Sequence, residues 1–159
     1  MEKMKIYLDT NTVIDFFINA VKSIKNKEEI KLPRKYQFFA SKTKELEFMT
    51  SILSKNEIIR ELIAGFGLSE DEVLKLWNGF IKSLNCRYIH EVKIDENLTK
   101  ITLKFKMKLR TLINFAHLFV VIEQGAYFLT GDKDLVKIVK ENKIYDKIIT
   151  YPELRKMLI

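Results

Sequence analysis

The segment Lys5–Phe17, KIYLDTNTVIDFF, indicates the fold. Its first four residues, KIYL, are a brief, mostly apolar and β-prone run, which predicts a short buried strand. From Thr12 the apolar residues follow a helical spacing, so a helix is predicted soon after the strand. Asp9 lies between the two elements. An unpaired carboxylate at the end of a buried strand is costly unless a neighbouring group neutralises it, and a divalent cation would do so.

The composition is that of a globular chain with a basic surface. The 159 residues suit one domain over 1–159, and 47% hydrophobic with 31% charged residues exclude a disordered class. Lysine and arginine outnumber the acids 28 to 21, and the net charge of +7 favours an anionic partner, nucleic acid ahead of a membrane surface. Cys86 is the only cysteine, which excludes a disulfide framework and indicates a reducing, cytoplasmic location.

Neither a signal peptide nor a membrane span is predicted. Asp9 and Asp15 interrupt the apolar run near the start, and no small-residue cleavage pattern follows. The longest apolar stretch, FAHLFVVIEQGAYFL, is split by Glu123 and Gln124, well short of the ~20 apolar residues that span a bilayer.

Short β-prone runs alternate with helical patterns along the chain. This alternation predicts a three-layer α/β sandwich with a central parallel sheet of about five short strands flanked by helices. The other predicted strands are FMTSIL, CRYIHEV, AYFLT and KIIT. Helices are predicted over 36–47 and 114–124, and from Ser54, Ser69, Asp95, Asp132 and Thr150 onward.

Two basic segments are harder to assign. The lysine-rich piece KSIKNKEEIKLPRKYQ, from Lys22, contains Pro33 and lacks periodicity, so a surface loop is predicted. In KITLKFKMKLR, from Lys100, basic and apolar residues alternate as in a half-exposed strand, although a helical period also fits up to Phe105. We favour the helix, with an irregular tail from Met107 to Arg110.

Several carboxylates follow the predicted strands, at the edge where parallel sheets place their sites. They are Asp9, Glu57, Asp132 and Asp134. Each has a structural alternative. Ser54 and Glu57 match a capping box, Asp132 can cap the next helix, and Asp134 can favour its dipole. His117 lies on the predicted buried helix, and we interpret it as a hydrogen-bonded core residue in preference to a catalytic residue.

Taken in order, these pieces resemble the PIN domain, the metal-dependent ribonuclease fold of VapC-type toxins. The matching segments are YLDTNTVIDFF, SILSKNEII and INFAHLFVVIEQGAYFLTGDKDL. The family's Asp-Thr-Asn corresponds to Asp9–Asn11, its Ser and Glu to Ser51 and Glu57, and its closing motif to Thr130–Leu135. The family has an acid where this chain has Asn114, an amide that can ligate a hard cation but adds no charge.

The resemblance implies a PIN-like fold and an endoribonuclease, the toxin of a type II toxin–antitoxin pair. It implies RNA as substrate, Mg²⁺ or Mn²⁺ as cofactor, a small antitoxin partner and a homodimer. One or two such ions activate water and bridge phosphate oxygens during cleavage. The implied catalytic residues are Asp9, Glu57, Asn114 and Asp132. The implied metal ligands are Asp9, Asp132, Glu57 and Asp134. The implied supporting residues are Thr10, Asn11 and Thr130, of which Thr10 and Asn11 are expected to orient Asp9 by hydrogen bonds.

Other interpretations remain open at this stage. The basic run is ordinarily a solvated face, but it is also the candidate RNA-contacting edge, with Lys104, Lys106, Lys108 and Arg110. A degenerate PIN domain that binds RNA or protein without cleavage would account for Asn114. A phosphatase of the haloacid-dehalogenase type would share the DTNTV pattern, but Asn11 stands where that class needs a proton-shuttling acid.

Overall fold

A computed structural model describes residues 2–159 of the chain. Its five strands are β1 (Met4–Leu8), β2 (Leu46–Ser51), β3 (Arg87–Ile89), β4 (Tyr127–Leu129) and β5 (Ile148–Ile149). Its helices are α1 (Thr10–Lys25), α2 (Arg34–Ser41), α3 (Ile52–Phe66), α4 (Glu70–Ser83), α5 (Glu96–Phe105), α6 (Leu109–Gln124), α7 (Lys133–Glu141) and α8 (Tyr151–Met157). Within residues 2–159, no helix has both the length and the apolar character needed to cross a bilayer.

The strands form one parallel sheet in the order β3-β2-β1-β4-β5. β1 is central, with Ile6 in register with Phe48 on one side and Tyr127 on the other. All five strands therefore end at the same edge, and the residues that follow β1, β2 and β4 are brought together there. The predicted three-layer α/β sandwich with a five-stranded parallel sheet is confirmed.

Two cores flank the sheet because strand side chains alternate between its faces. Ile6 and Leu8 contribute to one core, while the intervening Tyr7 contributes to the other. The first core is rich in aromatic side chains from α1, α2 and α4, and the second contains Phe115 and Leu118 of α6. α6 is thus pressed against the sheet, which fixes its polar residues at the carboxyl edge.

Several predicted boundaries are wrong, and pairing in the sheet explains the first. The helix predicted over 36–47 ends at Ser41, because the chain from Leu46 pairs with β1 instead. α3 begins at Ile52 rather than Ser54, since Ser51 caps it by accepting the Leu53 backbone N–H at 3.2 Å. α6 begins at Leu109, so Asn114 lies inside the helix and does not open it.

The two uncertain basic segments are also settled. α1 continues to Lys25, so the loop predicted from Lys22 is confined to the residues between α1 and α2. The helix favoured over the strand after Asp95 is confirmed as α5. Met107 and Lys108 are irregular as predicted, whereas Arg110 already belongs to α6.

Candidate functional site

Asp9 lies directly after the central strand and caps α1. Its side chain is 1% exposed. One carboxylate oxygen accepts the Thr10 backbone N–H at 2.8 Å, and the other accepts the Thr130 hydroxyl at 2.7 Å. The Asp9 backbone N–H donates to Leu129 at 3.0 Å, which fixes the residue between β1 and β4. The sequence predicted this buried position.

The charge of Asp9 is poorly compensated. Burial raises the pKa of its carboxyl above the ordinary value, and the nearby Glu57 acts in the same direction, against His117 and the Thr130 hydroxyl. No lysine or arginine within residues 2–159 forms an ion pair with Asp9. A buried carboxylate of this kind is a natural ligand for a cation.

Glu57 has a different role from the predicted capping box. One of its oxygens accepts the Thr10 hydroxyl at 2.9 Å and lies 2.5 Å from His117 Nε2. Ser54, its expected capping partner, is buried and accepts the same Thr10 hydroxyl at 3.0 Å. The capping alternative is therefore wrong, because the helix begins earlier and Glu57 faces α1 and α6 in the fold.

His117 connects Glu57 to the interior of the protein. It is fully buried, and its Nδ1 lies 2.7 Å from the Tyr7 hydroxyl. Tyr7 is in turn 2.6 Å from the Ser51 hydroxyl. The interpretation of His117 as a hydrogen-bonded core residue is confirmed, but the sequence did not identify Tyr7 as its partner. A polar-tipped aromatic in a fully buried strand was the available signal.

Asn114 and Asp132 form the opposite part of the site. Asn114 Nδ2 donates to Asp132 Oδ2 at 2.8 Å, and Asp132 Oδ1 accepts the Leu135 backbone N–H at 3.1 Å. The prediction that Asp132 caps the following helix is confirmed. Both Asp132 oxygens are thereby engaged, whereas Asn114 Oδ1 accepts no hydrogen bond from the described residues.

Thr130 and Asn11 hold the two loops together, although not as predicted. Thr130 donates to Asp9 and accepts the Asp132 backbone N–H at 3.1 Å. Asn11 accepts the Gly131 backbone N–H at 3.1 Å, so its side chain braces the β4 loop rather than orienting Asp9. The Thr10 side chain likewise contacts Glu57, and only its backbone N–H reaches Asp9. The Asn11 amide is engaged with Gly131 and cannot shuttle a proton, so it does not fit a phosphatase mechanism.

The predicted site residues are divided between two neighbouring cavities. Asp9, Glu57 and Asn114 line a cavity of about 410 Å³. Its wall also contains Arg60, Arg110 and the apolar residues Ile14, Leu109 and Ile113. Asp132 and Asp134 line the adjacent cavity of about 720 Å³. Asp134 is exposed, in contrast to the buried Asp9, and does not line the cavity of Asp9.

The first cavity has the donor chemistry of a hard-cation site, without a preassembled acidic cluster. Across residues 2–159, no three side chains drawn from His, Cys, Asp and Glu are grouped to share a metal ion. The oxygens of Asp9, Glu57 and Asn114 are nonetheless the ligand types that Mg²⁺ and Mn²⁺ prefer. The uncompensated Asp9 carboxylate is the feature that a bound cation would satisfy, so these residues fit such an ion.

The predicted basic run is split by the fold. Lys108 and Arg110 line the cavities at the carboxyl edge. Lys104 lies on α5, and Lys106 ends that helix in the left-handed conformation with a φ of 38°. Neither lines these cavities, so the structure brings only half of the run to the site.

The comparisons with known proteins give a weak structural likeness. No protein-family model matches the sequence, and no curated protein matches it. Among solved structures, the chain is similar to VapBC2 from Rickettsia felis bound to a DNA fragment from its promoter. The identity is 16% and the TM-score is 0.48, over 92% of this chain and 97% of that one. A likeness of this strength assigns no function, and the sheet topology itself establishes the α/β fold.

Proposed function

We propose that this chain is a divalent-metal-dependent endoribonuclease. The observation that carries the proposal is the convergence of Asp9, Glu57 and Asn114 on one cavity at the carboxyl ends of the strands. Arg60 and Arg110 border the same cavity, so anionic ligands for a cation lie beside cationic groups for a phosphate. This pairing of charges suits a phosphodiester substrate.

Asp9, Glu57 and the Asn114 carbonyl oxygen would hold the ion. When bound, Mg²⁺ or Mn²⁺ would supply an activated water and stabilise negative charge on the phosphate. The chain's own residues prepare the site: Thr10 orients Glu57, and Thr130 orients Asp9. Asp132, which lines the second cavity, accepts a hydrogen bond from Asn114 Nδ2. It would therefore orient Asn114 as a metal ligand without itself binding the ion.

The sequence resemblance extends the proposal to the biological setting. We propose that the chain is the toxin of a type II pair, inhibited by a small antitoxin, and that it acts as a cytoplasmic homodimer. The apolar residues Ile14, Leu109 and Ile113 at the cavity wall provide a surface on which a protein partner could cover the site. Co-expression with the product of an adjacent small gene, followed by co-purification, tests this extension.

A second candidate function is RNA binding without cleavage. It is favoured by the amide at Asn114 and by the lack of a three-acid cluster in residues 2–159. In this alternative His117 Nε2, 2.5 Å from the Glu57 carboxylate, is the partner of Glu57 in place of a metal ion. The basic groups bordering the cavity would remain available to an RNA ligand.

The deciding experiment is RNA cleavage by the purified protein with Mg²⁺, Mn²⁺ or a chelator. Asp9→Asn is isosteric and should lower cleavage by more than the ~100-fold that loss of an outer-shell partner costs. Asp146→Asn is the matched control, because Asp146 is exposed and precedes β5, at the opposite edge of the sheet. The Asp9→Asn preparation, purified in parallel, also measures contaminating ribonuclease.

Cleavage that requires metal, is lost in Asp9→Asn and is retained in Asp146→Asn is the expected result. Equal cleavage by all three proteins would place the activity outside this site or in a contaminant. RNA binding without cleavage under any metal would favour the second candidate function.

A further inference from the structure

Three depressions follow one another along the carboxyl edge of the sheet. The first is the 410 Å³ cavity of Asp9, and the second and third measure about 720 and 250 Å³. Asn11 lines all three, while Gly131 and Lys133 line the second and third. Because neighbouring depressions share these residues, they adjoin one another, and the row of three, called here the edge groove, ends beside Tyr151.

Cationic side chains lie along the edge groove. Arg110 lines the first two depressions, Lys108 the second, and Lys133 the second and third. None of these three side chains forms an ion pair with another residue in 2–159. Asp132 and Asp134 also line the second depression, and Asp132 already accepts two hydrogen bonds. Asp9, Glu57 and Glu61 line the first depression. The unpaired cations nevertheless provide binding sites for successive phosphates of a nucleic-acid strand.

Gly131 lies in the lining of the groove, although the backbone conformation at this position does not require glycine. Gly131 has no left-handed φ, and its N–H donates to Asn11 at 3.1 Å. A Cβ built on Gly131 would find its nearest atom, Asn11 Oδ1, at 3.7 Å, which is ordinary contact. A side chain here would therefore be accommodated without strain and would add bulk to the lining of the second and third depressions.

An aromatic ring stands at the far end of the groove. Tyr151 lines the third depression and is held edge-on by Phe38 and Phe39, with ring centroids 5.9 and 5.7 Å away. The Arg155 guanidinium lies over this ring, 6.0 Å from its centroid. An aromatic ring beside a guanidinium is a stacking surface for an unstacked base, which a single strand offers and a duplex does not.

We propose that the edge groove binds single-stranded RNA, with phosphates on Arg110 and Lys133, backbone against Gly131, and a base near Tyr151. The proposal rests on the proposed function for the identity of the substrate. It assigns the contacts to Lys133 and Arg110 in place of Lys104 and Lys106 of the predicted basic run.

The test measures binding without metal, so that cleavage plays no part. A fluorescent oligouridine of about 12 nucleotides, within the usual site size for single strands, is titrated in chelator over a range of potassium chloride. Lys133→Gln should flatten the slope of log affinity against log salt by about 0.7. Lys104→Gln is the matched control and should leave the slope unchanged. A duplex of equal length should compete poorly.

Gly131→Ala tests the groove independently of charge. It should weaken binding at an unchanged salt slope, because it adds bulk to the lining without removing a cation. Gly79→Ala is its control, since Gly79 lies on α4 with nothing within 4 Å of the built Cβ. Melting temperatures of all four variants establish that each is folded.

Each outcome decides the proposal. Equal slopes for Lys133→Gln and wild type, an effect confined to Lys104→Gln, unchanged affinity in Gly131→Ala, or no binding by wild type at low salt would overturn it. Binding with the predicted variant pattern but without cleavage in metal would sustain the groove and reject the nuclease. Cleavage at wild-type rates by Lys133→Gln and Gly131→Ala under limiting RNA would sustain the nuclease and reject the groove.

Discussion

The two sides of the candidate site are built differently. On one side, Glu57 joins a chain of hydrogen bonds that runs through His117 and Tyr7 to Ser51, in the interior of the sheet. On the other side, Asp132 is held only by neutral donors, the Asn114 amide and the Leu135 backbone N–H. Asp9 lies between them and contacts both through Thr10 and Thr130.

The difference separates a group held by contacts in the core from a buried amide held at the wall of the open cavity. His117 is fully buried, so any change there disturbs packing and hydrogen bonding at once. Asn114 lines the open cavity and donates a hydrogen bond to the Asp132 side chain. The Glu57 side should therefore govern the stability of the fold, and the Asn114 side should govern affinity for the ion.

The largest expected effect on stability is at His117. His117→Ala removes two buried hydrogen bonds and leaves a cavity, and should lower the free energy of unfolding by about 2–4 kcal/mol. Asn114→Ala, its counterpart on the other side, loses one hydrogen bond to a carboxylate and should cost about 1–2 kcal/mol. Urea unfolding of both variants measures the contrast. Equal losses would show that the two sides are not distinct.

Asn114→Asp tests the same difference through the affinity of the site for the metal ion. The added charge should lower the metal concentration for half-maximal cleavage by roughly tenfold to a hundredfold, which corresponds to about 1–3 kcal/mol after desolvation. Without metal the variant should be less stable, because the amide donor to Asp132 is replaced by a second carboxylate. A metal titration of cleavage and melting curves in chelator test both parts. An identical metal requirement would place Asn114 away from the ion.

A smaller effect is expected in the pH dependence of the metal-free protein. Burial raises the pKa of Asp9, so the folded chain holds this proton more tightly than the unfolded chain. The free energy of unfolding should therefore decrease as the pH rises from about 4 through the raised pKa. Asp9→Asn should remove this component and leave stability equal or higher above that range. Unfolding in chelator at several pH values measures the difference, and parallel curves for the two proteins would contradict it.

The sequence predicted the strands and helix caps that depend on the local pattern of residues. The strand before Asp9 was apolar and β-prone, and the caps at Ser69, Asp132 and Thr150 follow residue types that bond their own helices. Those predictions required no knowledge of distant residues. The order of strands and helices then implied a parallel sheet, whose edge collects the carboxylates.

What the sequence could not predict depends on contacts between distant residues. Ser54 and Glu57 match a capping box in spacing, and only the packing of α3 against α1 and α6 directs them to Thr10 and His117. His117 and Tyr7 are 110 positions apart, a separation that no local pattern reports. The basic run was divided for the same reason, because α5 ends at Phe105 and the chain turns at Lys106 before α6.

The most direct test of the account is Mn²⁺ binding by the chain itself, followed by calorimetry or by the resonance signal of free Mn²⁺. The wild-type protein and Asp146→Asn should bind Mn²⁺ saturably, and Asp9→Asn should lose that binding while remaining folded. Saturable binding of equal strength in Asp9→Asn, or none in the wild type, would contradict a metal centre at this edge of the sheet.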